Sequence, residues 1–346
     1  MYRLVGAMDV SASLPRGSER LPLLDGLRGM AALCVLGFHV QRAFHLPGPF
    51  ASSHLFVDFF FLLSGFVLGL VAEPRMRAGM NWSAFMAARW RRLWPMVAVG
   101  ALLGAIRFSA TGDPATVALL LVLALLMVPT RSNSLEPFPL NSPQWSLLME
   151  LMANLAHALL LVRLSSRRLA MVIGVFGVLL LASILRQGAN YWLLAELRVG
   201  FSYSLGLLFA RGYRQGSLVR LAGIDWKWPV LLTLGAVLAL PYAPLPETFG
   251  EAAIIFVVFP VTFACAIGAR LPEAFAPACL WLGRLSYPLY AVHEPITKMV
   301  ASNPRTAAHP MLAVLLAIGL AVALGWVFER RRPASAVPSS EARAIA

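Results

Sequence analysis

Val117-Ala118-Leu119-Leu120-Leu121-Val122-Leu123-Ala124-Leu125-Leu126-Met127-Val128 contains no polar side chain and no alternation. A membrane barrel strand alternates apolar and polar residues at period 2. In hydrocarbon only helices and closed barrels satisfy the backbone. The run is therefore read as helix in an apolar solvent. Outward from it the same reading repeats, with apolar segments at roughly 23–46, 54–72, 90–108, 114–129, 145–163, 169–186, 190–210, 227–243, 250–268, 278–299 and 310–328. Most approach the roughly 20 residues that a helix needs to cross a bilayer. Charged residues make up 13% of the 346 positions, about half the share in a soluble chain. Mean hydropathy is +0.73. The expectation is an all-α integral membrane protein, with tails at 1–21 and 329–346 flanking a single membrane domain at 22–328.

Net charge is +13, which in a soluble protein would suggest nucleic acid. Here the basic residues gather at segment ends, as in Arg89, Arg91 and Arg92 or Arg163, Arg167 and Arg168. That is the pattern of cytoplasmic loops beside anionic lipid, so the expected partner is membrane lipid and not nucleic acid. The N-terminal Arg3, Arg16 and Arg20 and the cluster after the second segment are both placed inside. Strict alternation through all segments would then put Arg163–Arg168, the Arg211–Lys227 loop and Arg330–Arg332 outside. Removing one crossing between Phe108 and Trp145 places all three inside. The expected topology is a bundle of about ten transmembrane helices plus one short or re-entrant segment, with both termini cytoplasmic. Residues 1–21 hold no apolar core, so no cleavable signal is expected. Cys34, Cys265 and Cys279 form no C-x-x-C pair, and no two histidines stand at i, i+4. Neither a disulfide framework nor a metal site is expected. No internal repeat of the kind that builds many transporters is visible.

Five stretches put ionisable groups where they are costly, at least ~2.5–3.5 kcal/mol each at bilayer depth. In Leu24-Asp25-Gly26-Leu27-Arg28, continuing to His39, Arg28 and His39 are eleven residues apart. They share one helix face about 16 Å apart. Arg28 is placed to hold an anion such as a phosphate, and His39 to move a proton. A plain Asp25–Arg28 pair with a satisfied core histidine is the alternative. Asp58 opens the very apolar Val57–Phe66 stretch, either solvated at the interface or orienting a His or Arg. Ser64-Gly65 reads as a close helix contact. Arg89 and Arg92 lie one turn apart before Pro95, as a phosphate clamp or as snorkelling cations. Glu150, Asn154 and His157 form one polar stripe at i, i+4, i+7, either a base with its supports or an interhelical network. Tyr287, Tyr290, His293 and Glu294 cluster after Ser286, as a site or as an aromatic anchor.

In this order and spacing the five stretches resemble the acyltransferase 3 family of membrane acyltransferases, over about 22–328. The most specific part is Arg28, ten residues, then His39. Asp58–Phe66, Arg89-x-x-Arg92, Trp145-Ser146-Leu147 with Glu150, and Ser286-Tyr287 through His293 add to it. The resemblance implies transfer of an acyl group, often acetyl, from cytoplasmic acyl-coenzyme A to an acceptor hydroxyl. Acceptors in the family include lipopolysaccharide O-antigen, other surface glycans, nodulation factors and some macrolides. It also implies functional roles for the residues matching Arg28, His39, Arg89, Arg92 and Glu150. One departure is Leu151-Met152-Ala153, where many relatives carry an acidic residue or glutamine and then an aromatic pair. Many relatives append a periplasmic hydrolase-like domain, and with 18 residues after Phe328 none is expected here.

The expected assignment gives His39, Glu150 and Asp58 the catalytic roles, with His39 tuned by Asp58 or Glu150. Arg28, Arg89 and Arg92 bind the phosphates of acyl-CoA (acetyl-CoA), a co-substrate rather than a tightly bound cofactor. Trp145, Tyr287 and His293 line the substrate. Direct transfer and an acyl-histidine relay are both open. The acceptor is expected to be a glycan or lipid-linked sugar at the bacterial inner membrane. The rival from another class is a multi-pass transporter or exporter, which would move substrate without consuming coenzyme A.

Overall fold

A computed structural model describes residues 21–110, 112–130, 136–186, 190–217 and 223–330. Among the described residues there is no strand, only an isolated bridge between Asp225 and Arg270. Every apolar segment is a helix. In chain order these are α1 (Pro22–Ala43), α2 (Phe56–Val71), the short α3 (Glu73–Arg77), α4 (Trp82–Phe108), α5 (Pro114–Leu125) and α6 (Gln144–Leu159). They continue with α7 (Ser166–Arg186), α8 (Tyr191–Arg214), α9 (Lys227–Ala239), α10 (Glu247–Ala253), α11 (Phe259–Gly268), α12 (Ala276–Ser302) and α13 (Pro310–Arg330). A π turn over Ile254–Val258 joins α10 to α11 as one continuous helical span.

Among the described residues seven helical stretches are long and apolar enough to cross a bilayer. Helices α4 and α12, at 27 residues each, are longer still and carry several of the charged groups picked out above. The outward surface is apolar: Val178 is 69% exposed, Leu315 64% and Ile106 62%. A water-facing helix would place polar residues there. This is a multi-pass membrane protein, with lipid as the solvent of its outer face.

Helix α5 has 12 residues, about 18 Å, too short for a hydrocarbon core of about 30 Å. The chain reverses beyond it through Met127 at φ 55°. Its end is fastened from both sides. Trp94 Nε1 donates to Leu125 O at 3.1 Å, and Gln144 Nε2 at the start of α6 donates to Ala124 O at 2.6 Å.

Two close helix pairs fix the interior. Helices α1 and α12 run in parallel: a Cβ on Gly26 would meet Cys279, and one on Gly29 would lie 2.5 Å from Leu282 Cβ. Helices α2 and α8 also run in parallel, with Asp58 meeting Arg198 towards their N-terminal ends and Glu73, just past α2, meeting Arg211 near the end of α8. A Cβ on Gly65 would lie 2.0 Å from Tyr203 O, and one on Gly206 2.0 Å from Leu62 O. The Ser64-Gly65 pair is thus the close packing point that its small side chains suggested, because apolar helices in lipid associate by backbone approach.

Gly206→Val presses two methyls on the main chain of α2, which cannot rotate away. Overpacking of this kind costs about 1–3 kcal/mol. We expect a lowered thermal midpoint in detergent. Gly319→Ala on α13, where nothing lies within 4 Å of the added carbon, is expected to leave the midpoint unchanged or raised.

Candidate functional site

The α1–α12 pair carries the first half of the site. Arg28 Nη2 lies 2.9 Å from Asp25 Oδ1 and donates to Gly283 O at 2.8 Å. Its Nε donates to Ser286 Oγ at 3.0 Å. Arg28 therefore ties the two helices together while its side chain stays about a quarter exposed. Further along the same face of α1, the His39 ring meets His293 of α12, with centroids 4.8 Å apart. Both residues face α12, as their shared azimuth required.

Helix α4 brings the second half. Arg89 Nη2 donates to Glu150 Oε1 of α6 at 2.5 Å, and Ser64 Oγ of α2 donates to the same oxygen at 2.8 Å. Arg92, one turn on, is exposed. It lies within electrostatic reach of Arg89, Arg28, Glu150 and Tyr287. Tyr287 Oη donates to Leu93 O at 2.6 Å, which docks α12 against α4. Three guanidinium groups thus gather with two carboxylates, Asp25 and Glu150. Arg92 has no carboxylate within ion-pair distance among the described residues. The cluster keeps a positive excess suited to a phosphate or pyrophosphate.

The structure does not bring Asp58 to His39. Asp58 is 1% exposed and chelated by Arg198 of α8: Nε lies 3.0 and 3.2 Å from its two oxygens, and Nη2 also donates. Ser202 Oγ adds a contact at 3.4 Å. Among the described residues neither Asp58 nor Glu150 hydrogen-bonds His39. Trp145 packs edge-on against Phe61 and Tyr191, at 6.4 and 5.8 Å, and not against His39. The stripe on α6 divides between partners. Glu150 turns to Arg89, whereas Asn154 and His157 both engage Tyr203 Oη, at 3.1 and 2.9 Å. For those two the interhelical network is the correct reading.

Three charged groups inside the bundle escaped the sequence reading. Arg198 stands inside an apolar segment and could have been flagged by the same rule as Asp58. Glu73, just past the second apolar segment, was not singled out in the sequence. It is fully buried, held by Arg211 at 3.0 Å, Arg77 at 2.7 Å and Arg214 at 3.6 Å. Arg211, expected in a loop, is 4% exposed and also caps Leu161 O and Leu164 O, at 2.9 Å each. Two cavities, of about 250 and 320 Å³, open around Arg211 and around Arg77 with Arg163. Neither is lined by Arg28, Arg92 or His39. No group of three His, Cys, Asp or Glu able to hold a metal occurs among the described residues.

A sequence family described as an acyltransferase domain matches residues 21–330. "Protein 2 in picA locus" of Rhizobium radiobacter is 33% identical over 189 residues, which cover 48% of this chain and 95% of that protein. No solved structure matches.

Arg198→Met leaves the Asp58 carboxylate buried without its partner. Breaking a buried pair in this way costs about 3–5 kcal/mol. We expect a marked fall in the thermal midpoint of the detergent-solubilised protein, with part of it recovered when Asp58→Asn is added.

Proposed function

Because the chain belongs to the acyltransferase 3 family, and so is an acyltransferase, we propose that it moves an acyl group, foremost acetyl, from acyl-coenzyme A to a hydroxyl of a cell-surface glycan or lipid-linked sugar. The observation that carries this reading is the alignment along one face of α1. Arg28, with Arg89 and Arg92 nearby, gathers positive charge at one level. His39 faces α12 about 16 Å further on. A donor with phosphates at one end and a thioester at the other has matching ends.

In this mechanism Arg28, Arg89 and Arg92 hold the phosphates, with Arg92 the least neutralised of the three. The acyl thioester extends along α1 toward His39. His39 takes the proton from the acceptor hydroxyl as its oxygen attacks the thioester carbonyl. Glu150 acts by orienting Arg89, and Tyr287 by docking α12 on α4. Asp58 contributes through the position of α8, because Arg198 occupies its carboxylate. Trp145, with Tyr191 beside it, offers an aromatic face to the acceptor.

The proposed topology has ten crossings, with α5 re-entrant and both termini in the cytoplasm of a bacterium, at its inner membrane. It is supported by the reversal after Met127, the fastening of α5 to Trp94 and Gln144, and the parallel run of α1 and α12. It keeps Arg28, Arg89 and Arg92 on the cytoplasmic side, where acyl-CoA is made.

The test uses protein in lipid nanodiscs, acetyl-CoA and glycan isolated from the parent cell surface, with release of the free thiol as the readout. His39→Ala is expected to lower kcat by about 10²–10⁴-fold while the protein stays monodisperse. Arg92→Ala is expected to raise the KM for acetyl-CoA about tenfold, the scale of one hydrogen bond to a charged group. Full turnover by His39→Ala would remove His39 from the mechanism. Flux of glycan without thiol release would favour the transporter.

A further inference from the structure

His39 needs a partner if it is to act as a base. A neutral imidazole has one N–H and one lone pair, and the bond made by the first fixes where the second points. The carboxylates expected to serve it are taken. Asp58 is chelated by Arg198, and Glu150 accepts from Arg89 and Ser64. The other charged or ionisable groups near His39 are Arg42, His54 and Lys298, and none of them is a carboxylate. Two rings lie against that of His39: Phe38, its chain neighbour, with centroids 5.0 Å apart, and His293 of α12, with centroids 4.8 Å apart and the planes at 67°; of the two only His293 carries a ring nitrogen.

The protonation pattern of His293 follows from its own helix. Its Nδ1 lies 3.1 Å from Leu289 O and 2.9 Å from Tyr290 O. Carbonyl oxygens only accept, so Nδ1 carries the proton and Nε2 the lone pair. The residue is 1% exposed, and Nε2 has no hydrogen-bond partner among the described residues. A buried acceptor left unsatisfied costs about 1–3 kcal/mol, and such a group calls for an explanation. The ring beside it carries a donor.

We propose that His293 is the positioning residue for His39: its Nε2 accepts a hydrogen bond from one nitrogen of His39 and so presents the other nitrogen to the acceptor hydroxyl. This rests on the acyl-CoA reading above and replaces the carboxylate partner with a neutral one. In the step itself the acceptor proton moves to the free nitrogen of His39 as the oxygen bonds to the thioester carbonyl carbon. The C–S bond breaks, and the departing thiolate takes that proton, giving ester and coenzyme A thiol. His293 keeps its own proton throughout.

The test compares His293→Gln, whose amide oxygen still accepts, with His293→Leu and His293→Phe, which cannot. All are assayed in nanodiscs by thiol release from acetyl-CoA with isolated surface glycan, and by coenzyme A binding. We expect either apolar variant to lose about 10²-fold in kcat, at the lower end for a proton-transfer group. The KM for both substrates and coenzyme A binding should stay within twofold of wild type, and His293→Gln should recover at least tenfold of the loss. Wild-type kcat in an apolar variant, a raised acceptor KM with kcat intact, or His293→Gln no better than His293→Leu would each overturn the proposal. If the unmodified protein neither binds coenzyme A nor releases thiol, the acyl-CoA reading fails before His293 is reached.

Discussion

Hydrocarbon offers no water to a buried charge, so each ionised side chain inside the bundle has to find its partner on another element or close by on its own. The helix contacts follow from this. Glu73 draws in Arg211 from α8, with Arg77 and Arg214 beside it. Asp58 draws in Arg198 from α8, and Glu150 binds Arg89 across α6 and α4. Because apolar faces have little preference for one another in lipid, these pairs and the glycine contacts between them specify which helices meet. The Asp58 and Glu73 pairs bracket the α2–α8 contact, where Gly65 and Gly206 let the backbones close.

The site uses the exceptions. Arg28 is paired with Asp25 yet remains partly open, and among the described residues Arg92 has no carboxylate within ion-pair distance and the Nε2 of His293 has no donor. A charge or lone pair left unused inside such a bundle is a standing cost, and a ligand that removes it gains the difference. Arg28 and His293 stand on the parallel α1–α12 pair, and α4 brings Arg92 within electrostatic reach of Arg28. Helix α1 contributes Arg28 and His39 from a single face, and α12 supplies Gly283, Ser286 and His293 opposite them.

Much of this was legible in the chain. Apolar runs without alternation gave helices at every segment, and the segment with the fewest residues, at 114–129, is the 12-residue α5. The eleven-residue spacing of Arg28 and His39 placed both on the face that meets α12. What spacing could not supply was partner choice. Asp58 could have served His39 or an arginine, and only the packing of α2 on α8 assigns it to Arg198. Glu73 lies at a segment end among arginines, so its complete burial depends on α8 reaching it. The polar stripe of α6 was visible as a stripe, but its division between Arg89 and Tyr203 is set by which helices flank it.

The central claim is that these arginines receive a phosphorylated thioester donor from one face of the membrane. The most direct measurement is a binding isotherm of coenzyme A to the purified protein in nanodiscs, repeated with the Arg28→Ala/Arg92→Ala double variant and at raised salt. The account predicts saturable binding that weakens with salt and is largely lost in the double variant. Absence of saturable binding in the unmodified protein, or an unchanged isotherm in the variant, would contradict it.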